Sequence, residues 1–144
     1  MLKRLIPFLL ILILLFAFHC SKSPSPRVVV MDFMEAVNKA DTATIENYLD
    51  LDKFTEEKLK ELPDSQQMAV FSQVREQLFN NFLGSGGTRL RWQNKMIVVN
   101  KEDIQGDEAL VEVTFVDQKT GRQEYTKARL YKKDGRWLIY YIKD

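Results

Sequence analysis

The apolar positions of this chain change their spacing once, at Gly84-Ser85-Gly86-Gly87, and the change divides it into a helical half and a stranded half. Upstream, Val29, Val30, Phe33, Met34, Val37 and Ala40 recur every three or four residues, which places them on one stripe of an amphipathic helix. Ser25 and Pro26 supply its start: a side-chain oxygen for the first free amides, then a residue whose missing N–H costs nothing there. Asp41 and Thr42 restart the chain as the cap of a shorter helix carrying Ile45, Tyr48 and Leu49, so the two form a helical hairpin. Phe54, Leu59 and Leu62 mark a brief charged helical turn ended by Pro63, and Asp64 with Gln67 has the spacing of a capping box for a third main helix. Its apolar line runs Val70, Phe71, Val74, Leu78, Phe79 and Phe82, and Gly84 stops it.

Downstream the period falls to two. Leu90, Trp92, Met96 and Val98 alternate with Arg91, Gln93, Lys95 and Ile97, predicting one long first strand with the former set on its apolar face. Val111, Val113 and Phe115 mark a second strand after Gly106-Asp107, Thr126, Ala128 and Leu130 a third after Gly121, and Trp137, Ile139 and Tyr141 a fourth after Asp134-Gly135. Short connections make the neighbours antiparallel. The expected fold class is therefore α+β, with N-terminal helices packed on one face of a four-stranded antiparallel meander, because neither half can bury its apolar side alone.

This pattern sorts the aromatic residues. Trp92, Phe115 and Trp137 fall on the covered sheet face and Tyr48 and Phe82 on the helices opposite, so these five either line a cavity for a small apolar ligand or pack as ordinary core. On the other face, Tyr125, Arg129 and Tyr131 along strand three, with Leu138 and Tyr140 along strand four, make an amphipathic aromatic patch suited to a homodimer or another protein partner, or else a solvated sheet surface.

The N-terminus carries an address. Lys3 and Arg4 precede an unbroken apolar run of 14 residues, Leu5 to Phe18, and Cys20 follows it. As a helix the run reaches roughly 21 Å, short of a hydrocarbon core of about 30 Å, and fits the apolar part of a secretory signal. Residues 1–19 are read as a signal peptide, 20–27 as a lipidated cysteine and flexible tether rich in serine and proline, and 28–144 as the folded domain. Ala17-Phe18-His19-Cys20 resembles a bacterial lipobox, with His19 standing where that pattern has a small residue. Acylation at Cys20, retention as an uncleaved anchor and ordinary secretion all export the domain. Cys20 is the only cysteine, so no intramolecular disulfide can form, and the localisation expected is the bacterial cell envelope, on a membrane.

Charge and missing chemistry narrow the rest. Losing residues 1–19 removes Lys3 and Arg4 from 21 basic side chains and leaves 19 against 20 acidic ones, a net charge of −1 with no polybasic arm. Nucleic acid is thus a poor partner. The lone histidine, His19, lies in the signal, so no histidine-dependent mechanism survives its removal. No His or Cys cluster offers a metal site, the Gly84–Gly87 stretch lacks the lysine of a phosphate loop, and no cofactor is expected.

FMEAVNKADTATIENYLD, ALVEVTFVDQKTGRQEY and ARLYKKDGRWLIYYI together resemble the nuclear transport factor 2-like, cystatin-like bacterial lipoproteins, a group known chiefly as a domain of unknown function. The likeness runs roughly from residue 28 to 142 and is closest at Lys132–Ile139, the closing hairpin. It implies the fold above; the signal and the missing chemistry give the expected role, a noncatalytic, membrane-tethered domain that binds a protein partner or a small apolar ligand. The same fold also implies an alternative, a histidine-independent isomerase-like enzyme with an aspartate and a tyrosine in its cavity, for which Asp32, Tyr48 and Asp103 are the candidates.

Overall fold

Ser25 starts the first helix of the computed structural model, which describes residues 23–143: its side-chain oxygen accepts from the Val28 amide and Pro26 takes the first helical position. Helix α1 (Pro26–Lys39) buries Val29, Val30, Phe33, Met34, Ala36 and Val37. Ala40, expected on the same stripe, instead ends the helix in a left-handed conformation at φ 55 and turns the chain into α2 (Thr42–Tyr48). Asp41 caps α2 by accepting from the Thr44 amide, and Asp50 caps α3 (Leu51–Leu59) by accepting from the Lys53 amide.

Helix α4 (Asp64–Asn81) starts one residue earlier than the capping-box spacing suggests, with Pro63 as the cap and Asp64 already helical. The carbonyl of Pro63 accepts from the Gln66 and Gln67 amides, and the Gln67 side chain reaches back to the Leu62 carbonyl and the Asp64 carboxylate. Its apolar line is only half-buried from Val70 to Phe79, and full burial is reached at Phe82, just past the helix.

The glycine stretch does not lead into a strand. A further helix, α5 (Gly87–Trp92), intervenes and takes Leu90 and Trp92 with it. Two contacts cause this, one local and one distant in sequence. A side chain at Gly86 would lie 2.2 Å from the Asn80 carbonyl oxygen, so only glycine lets the chain fold back against the end of α4. Arg89 then donates from Nε to the Val37 carbonyl at 3.1 Å, from Nη2 to the Asn38 carbonyl at 3.2 Å and from Nη1 to the Gly84 carbonyl at 2.7 Å, tying the last turn of α1 to the chain that follows α4.

Four strands follow: β1 (Lys95–Gln105), β2 (Glu108–Asp117), β3 (Gln123–Lys133) and β4 (Arg136–Ile142), antiparallel in the order β1-β2-β3-β4. Helix α1 lies against β1, β2 and β4, so the helices cover one sheet face as the α+β pattern requires. The phase of β1 is the reverse of that expected: Met96 and Val98 are exposed, Ile97 packs on the core and Val99 is buried. Trp92 turns inward by helical geometry, and that direction cannot be propagated by twos into the strand beyond it. Asp103 sits within β1, opposite Leu110, rather than in a turn.

The last hairpin turns on Asp134 and Gly135, both at positive φ, as a tight two-residue connection demands. Trp137 and Ile139 point inward as expected. Beyond them Arg129 pairs with Tyr141 while Leu130 pairs with Ile139, leaving Tyr140 as the extra residue of a bulge. The alternation flips there. Ile142, which falls outside when the count by twos runs on from Leu138 and Tyr140, is buried, and Tyr141, expected inside, stands opposite Arg129. The edge of β4 is occupied: the Asp50 amide donates to the Ile139 carbonyl at 2.8 Å, and Leu49 bridges Ile139 in parallel.

Two pairs of substitutions read these registers by urea unfolding. Val99→Asp buries an unpaired charge and unfolds the domain, while Val98→Asp leaves the midpoint nearly unchanged. Trp137→Ala and Tyr140→Ala, whose side chains are each 8% exposed, both destabilise, each by about 3 kcal/mol or more, although one lies in the regular part of β4 and the other is the bulge residue.

Candidate functional site

The space beneath the sheet is occupied by rings. Phe33 meets Phe82 edge-on at 5.4 Å between centroids and Trp92 at 6.5 Å, and Trp92 stacks on Phe115 at 5.3 Å. Of the five residues expected to line a cavity, Phe82, Trp92 and Phe115 thus come together and fill one another's surroundings. Tyr48 and Trp137 lie elsewhere. With Val29, Ser23, Pro24 and Arg136 they surround a cavity of about 120 Å³.

Tyr48 points its hydroxyl at Asp32, donating to Oδ2 at 3.3 Å. Burial first, then the Asp32 charge and this bond, push the Tyr48 phenol above its ordinary range, so it stays protonated. Asp103, the third member expected of this group, is remote from both: it borders a groove on the outer sheet face with Leu110, Arg129 and Tyr140.

The outer face divides. Tyr125 and Arg129 are open to solvent, Tyr131 and Leu138 are half-buried, and Tyr140 is buried, so the expected five-residue patch is not one continuous exposed surface. The cause is α3, which the Leu49-Asp50 bridge carries along β4. Lys53 on α3 sets its ammonium 3.6 Å from the Tyr131 ring centroid and 4.3 Å from that of Tyr140, the two rings meeting edge-on at 5.8 Å. The ammonium charge is held against the negative faces of the rings. Below it the Tyr131 hydroxyl donates to Asp50 Oδ2.

This Asp50–Tyr131–Lys53–Tyr140 cluster is a polar constellation that sequence reasoning missed. Asp50 stands at cap spacing before Leu51-Asp52-Lys53, a readable signal for the helix start, but its bond to a tyrosine 81 positions away has no local signature. Partial burial works to raise the Asp50 carboxyl, yet the Tyr131 hydroxyl, the Lys53 amide and the charges of Lys133 and Lys53 outweigh it and hold the carboxyl below its usual range. Burial, then the same bond and the Asp50 charge, push the Tyr131 phenol up to about 12.

Away from α3 the outer face holds a groove of about 580 Å³, lined by Leu110, Glu112, Tyr125, Lys127, Arg129 and Tyr141 among others. Tyr125 is 74% exposed, its hydroxyl donating to Gln123 Oε1 at 2.6 Å. Lys127 pairs with Glu112 at 3.5 Å, and the Arg129 guanidinium lies 5.2 Å from the Tyr141 centroid. Among the described residues no three His, Cys, Asp or Glu side chains gather as a metal would require, and no helix is long and apolar enough to cross a membrane. Cys20 and the apolar run before it, expected as a lipidation site and a signal, lie outside the described residues.

No protein-family model and no curated protein matches this chain. Among solved structures it is similar to a "Putative NTF2-like transpeptidase" from Campylobacter jejuni, at 19% identity over 81% of this chain and 97% of that one, with a TM-score of 0.49. At that distance no residue role is carried across.

The dyad beneath Lys53 has a pH signature. The depressed Asp50 carboxyl contributes stability that is present above its unfolded value of about 3.9 and lost as pH falls through its lower folded value. The raised Tyr131 phenol contributes stability that is complete below about 10 and lost as pH rises through about 12. Tyr131→Phe removes the alkaline dependence and weakens the acid one, which the Lys53 amide and the charges of Lys133 and Lys53 still support, so its unfolding free energy against pH is flatter than wild type at both ends. Parallel profiles would show that the bond is not made in solution.

Proposed function

We propose that this chain is a membrane-tethered, noncatalytic binding domain of the bacterial envelope, a lipoprotein of the nuclear transport factor 2-like kind that receives a protein partner on the outer face of its sheet. The observation that carries the reading is Tyr125, a large amphipathic ring 74% exposed beside a groove of about 580 Å³ that Leu110 and Tyr141 line and Lys127 and Arg129 flank. Tyrosine and arginine around an apolar floor are the side chains that protein interfaces favour, since each brings large area with few rotamers or a charge that tolerates desolvation. The packing of Phe33, Phe82, Trp92 and Phe115 against one another supports the outside, rather than the space beneath the sheet, as the place of binding. A second copy of the chain is the first partner to test.

The address rests on the order of Lys3-Arg4, the apolar run and Cys20. Partition into detergent and intact mass in the native host test it. An acyl mass on Cys20, lost in Cys20→Ser, supports the tether, and an unmodified secreted chain removes it. For the binding face, a photocrosslinking side chain at position 125 gives a discrete adduct in intact cells, whereas one at Met68, 89% exposed on α4, does not. Equal labelling from both positions, or none from 125, rules out the outer face.

The Tyr48–Asp32 contact beside the cavity of about 120 Å³ favours a second reading, an isomerase-like enzyme that moves a proton without histidine. An isomerase activity in the purified chain abolished by Asp32→Asn supports it; an activity indifferent to that change sets it aside.

A further inference from the structure

We propose that the β3–β4 hairpin, with the acidic β1–β2 hairpin beside it turned away, is the surface this domain presents to anionic phospholipid headgroups, an inference that rests on the tether read at Cys20. The chain enters the domain at this end of the sheet. Ser23 Oγ donates to the Gly135 carbonyl at 2.7 Å, Pro24 borders the small cavity beside Trp137, and the Arg27 amide donates to the Glu102 carboxylate at 2.8 Å. Cys20 precedes Ser23 by three residues, and an extended chain gains at most about 3.6 Å per residue, so a tether at Cys20 can span no more than about 11 Å from Ser23. Were the Ser23 bond released, the cap at Ser25 would extend that reach only to about 18 Å.

The charges at this end are unevenly shared. Lys132, Lys133 and Arg136 are exposed around the single acid Asp134, a surplus of positive charge on the β3–β4 hairpin. The neighbouring β1–β2 hairpin carries Asp103, Asp107 and Glu108. A negative surface therefore attracts the first hairpin and repels the second. Such attraction fades over a Debye length of about 8–10 Å, and the tether holds the basic hairpin near that range without any affinity of its own being needed. The opposite end, with the Asp117–Arg122 turn, is roughly a strand length of about 30 Å away and points from the membrane.

The two tryptophans report this orientation. Trp137 is opposite Lys132 at the near end, whereas Trp92 stacks on Phe115, about 25 Å further along the sheet at roughly 3.3 Å per residue. The full chain, with its own N-terminal segment, is reconstituted into vesicles of phosphatidylcholine with equimolar phosphatidylglycerol and a nitroxide-headgroup lipid. Trp92→Phe and Trp137→Phe leave one ring each. Trp137 loses most of its emission, Trp92 keeps most of its own, and the difference shrinks when phosphatidylglycerol is left out, when salt is raised or in Lys132→Glu/Lys133→Glu. A chain that fails to float with vesicles overturns the tether and this proposal together. A floating chain with both rings equally quenched leaves the tether standing and overturns the orientation, and a difference unchanged in pure phosphatidylcholine overturns the anionic contact. Should a tryptophan variant not fold, relaxation of the Gly135 and Gly121 amides of the wild-type chain on the same lipids reads the same two ends.

Discussion

The hydrogen bond from the Asp50 amide to the Ile139 carbonyl fixes how the helical half meets the sheet. An edge strand offers a row of unpaired backbone groups, and β4 has one of them taken by the short link between α2 and α3. That single attachment sets the course of α3. Phe54 is then placed to meet Phe82 and stack on Tyr141, Lys53 to cover Tyr131 and Tyr140, and the Asp50 side chain both to cap its own helix and to accept from Tyr131. Pulling Leu49-Asp50 away from β4 would undo contacts on both faces of the sheet at once. The bulge at Tyr140 belongs to the same junction, because it turns a ring that a regular strand would expose to the place where Lys53 can shield it.

How much of this was legible in the sequence depends on the range of the forces involved. Ser25-Pro26, Asp41-Thr42 and Asp134-Gly135 are local devices, each complete within a few residues, and they mark two helix starts and a hairpin in the structure. The inward sets of β2 and β3 follow from a period of two that nothing interrupts. The errors begin where an event outside the window resets the count. Trp92 has an apolar partner whether it sits on a strand or a helix, and what made it helical was Arg89 finding the carbonyls of Val37 and Asn38, about fifty positions away. One turn of helix then reversed the faces of Met96 to Val99. Likewise Tyr141 and Ile142 exchanged faces because one residue slipped at Arg129, a shift that period counting cannot detect.

For the candidate site the same limit is sharper. The aromatic inventory was readable, and so was its division between two sheet faces. What it could not give was occupancy: whether Phe82, Trp92 and Phe115 surround a space or fill it is a matter of side-chain volumes meeting from three separate elements. Nor could it separate Tyr125 from Tyr131, which sit on the same face of the same strand. One is open because no helix passes over it, the other shielded because α3 does.

Strand β1 lies at the other edge of the sheet, and among the described residues its outer row of backbone groups, unlike that of β4, carries no bridge. Its first half, Lys95 to Val99, is mostly apolar and β-branched, with Met96 and Val98 exposed, the composition that lets copies of a chain stack edge to edge into fibrils. The register breaks between Val99 and Glu102, and charged residues follow. A break there limits the flat, pairable stretch to about five residues, shorter than the six or seven that a steric zipper needs. The irregularity in β1 thus works against copies of the domain templating one another's aggregation along this edge.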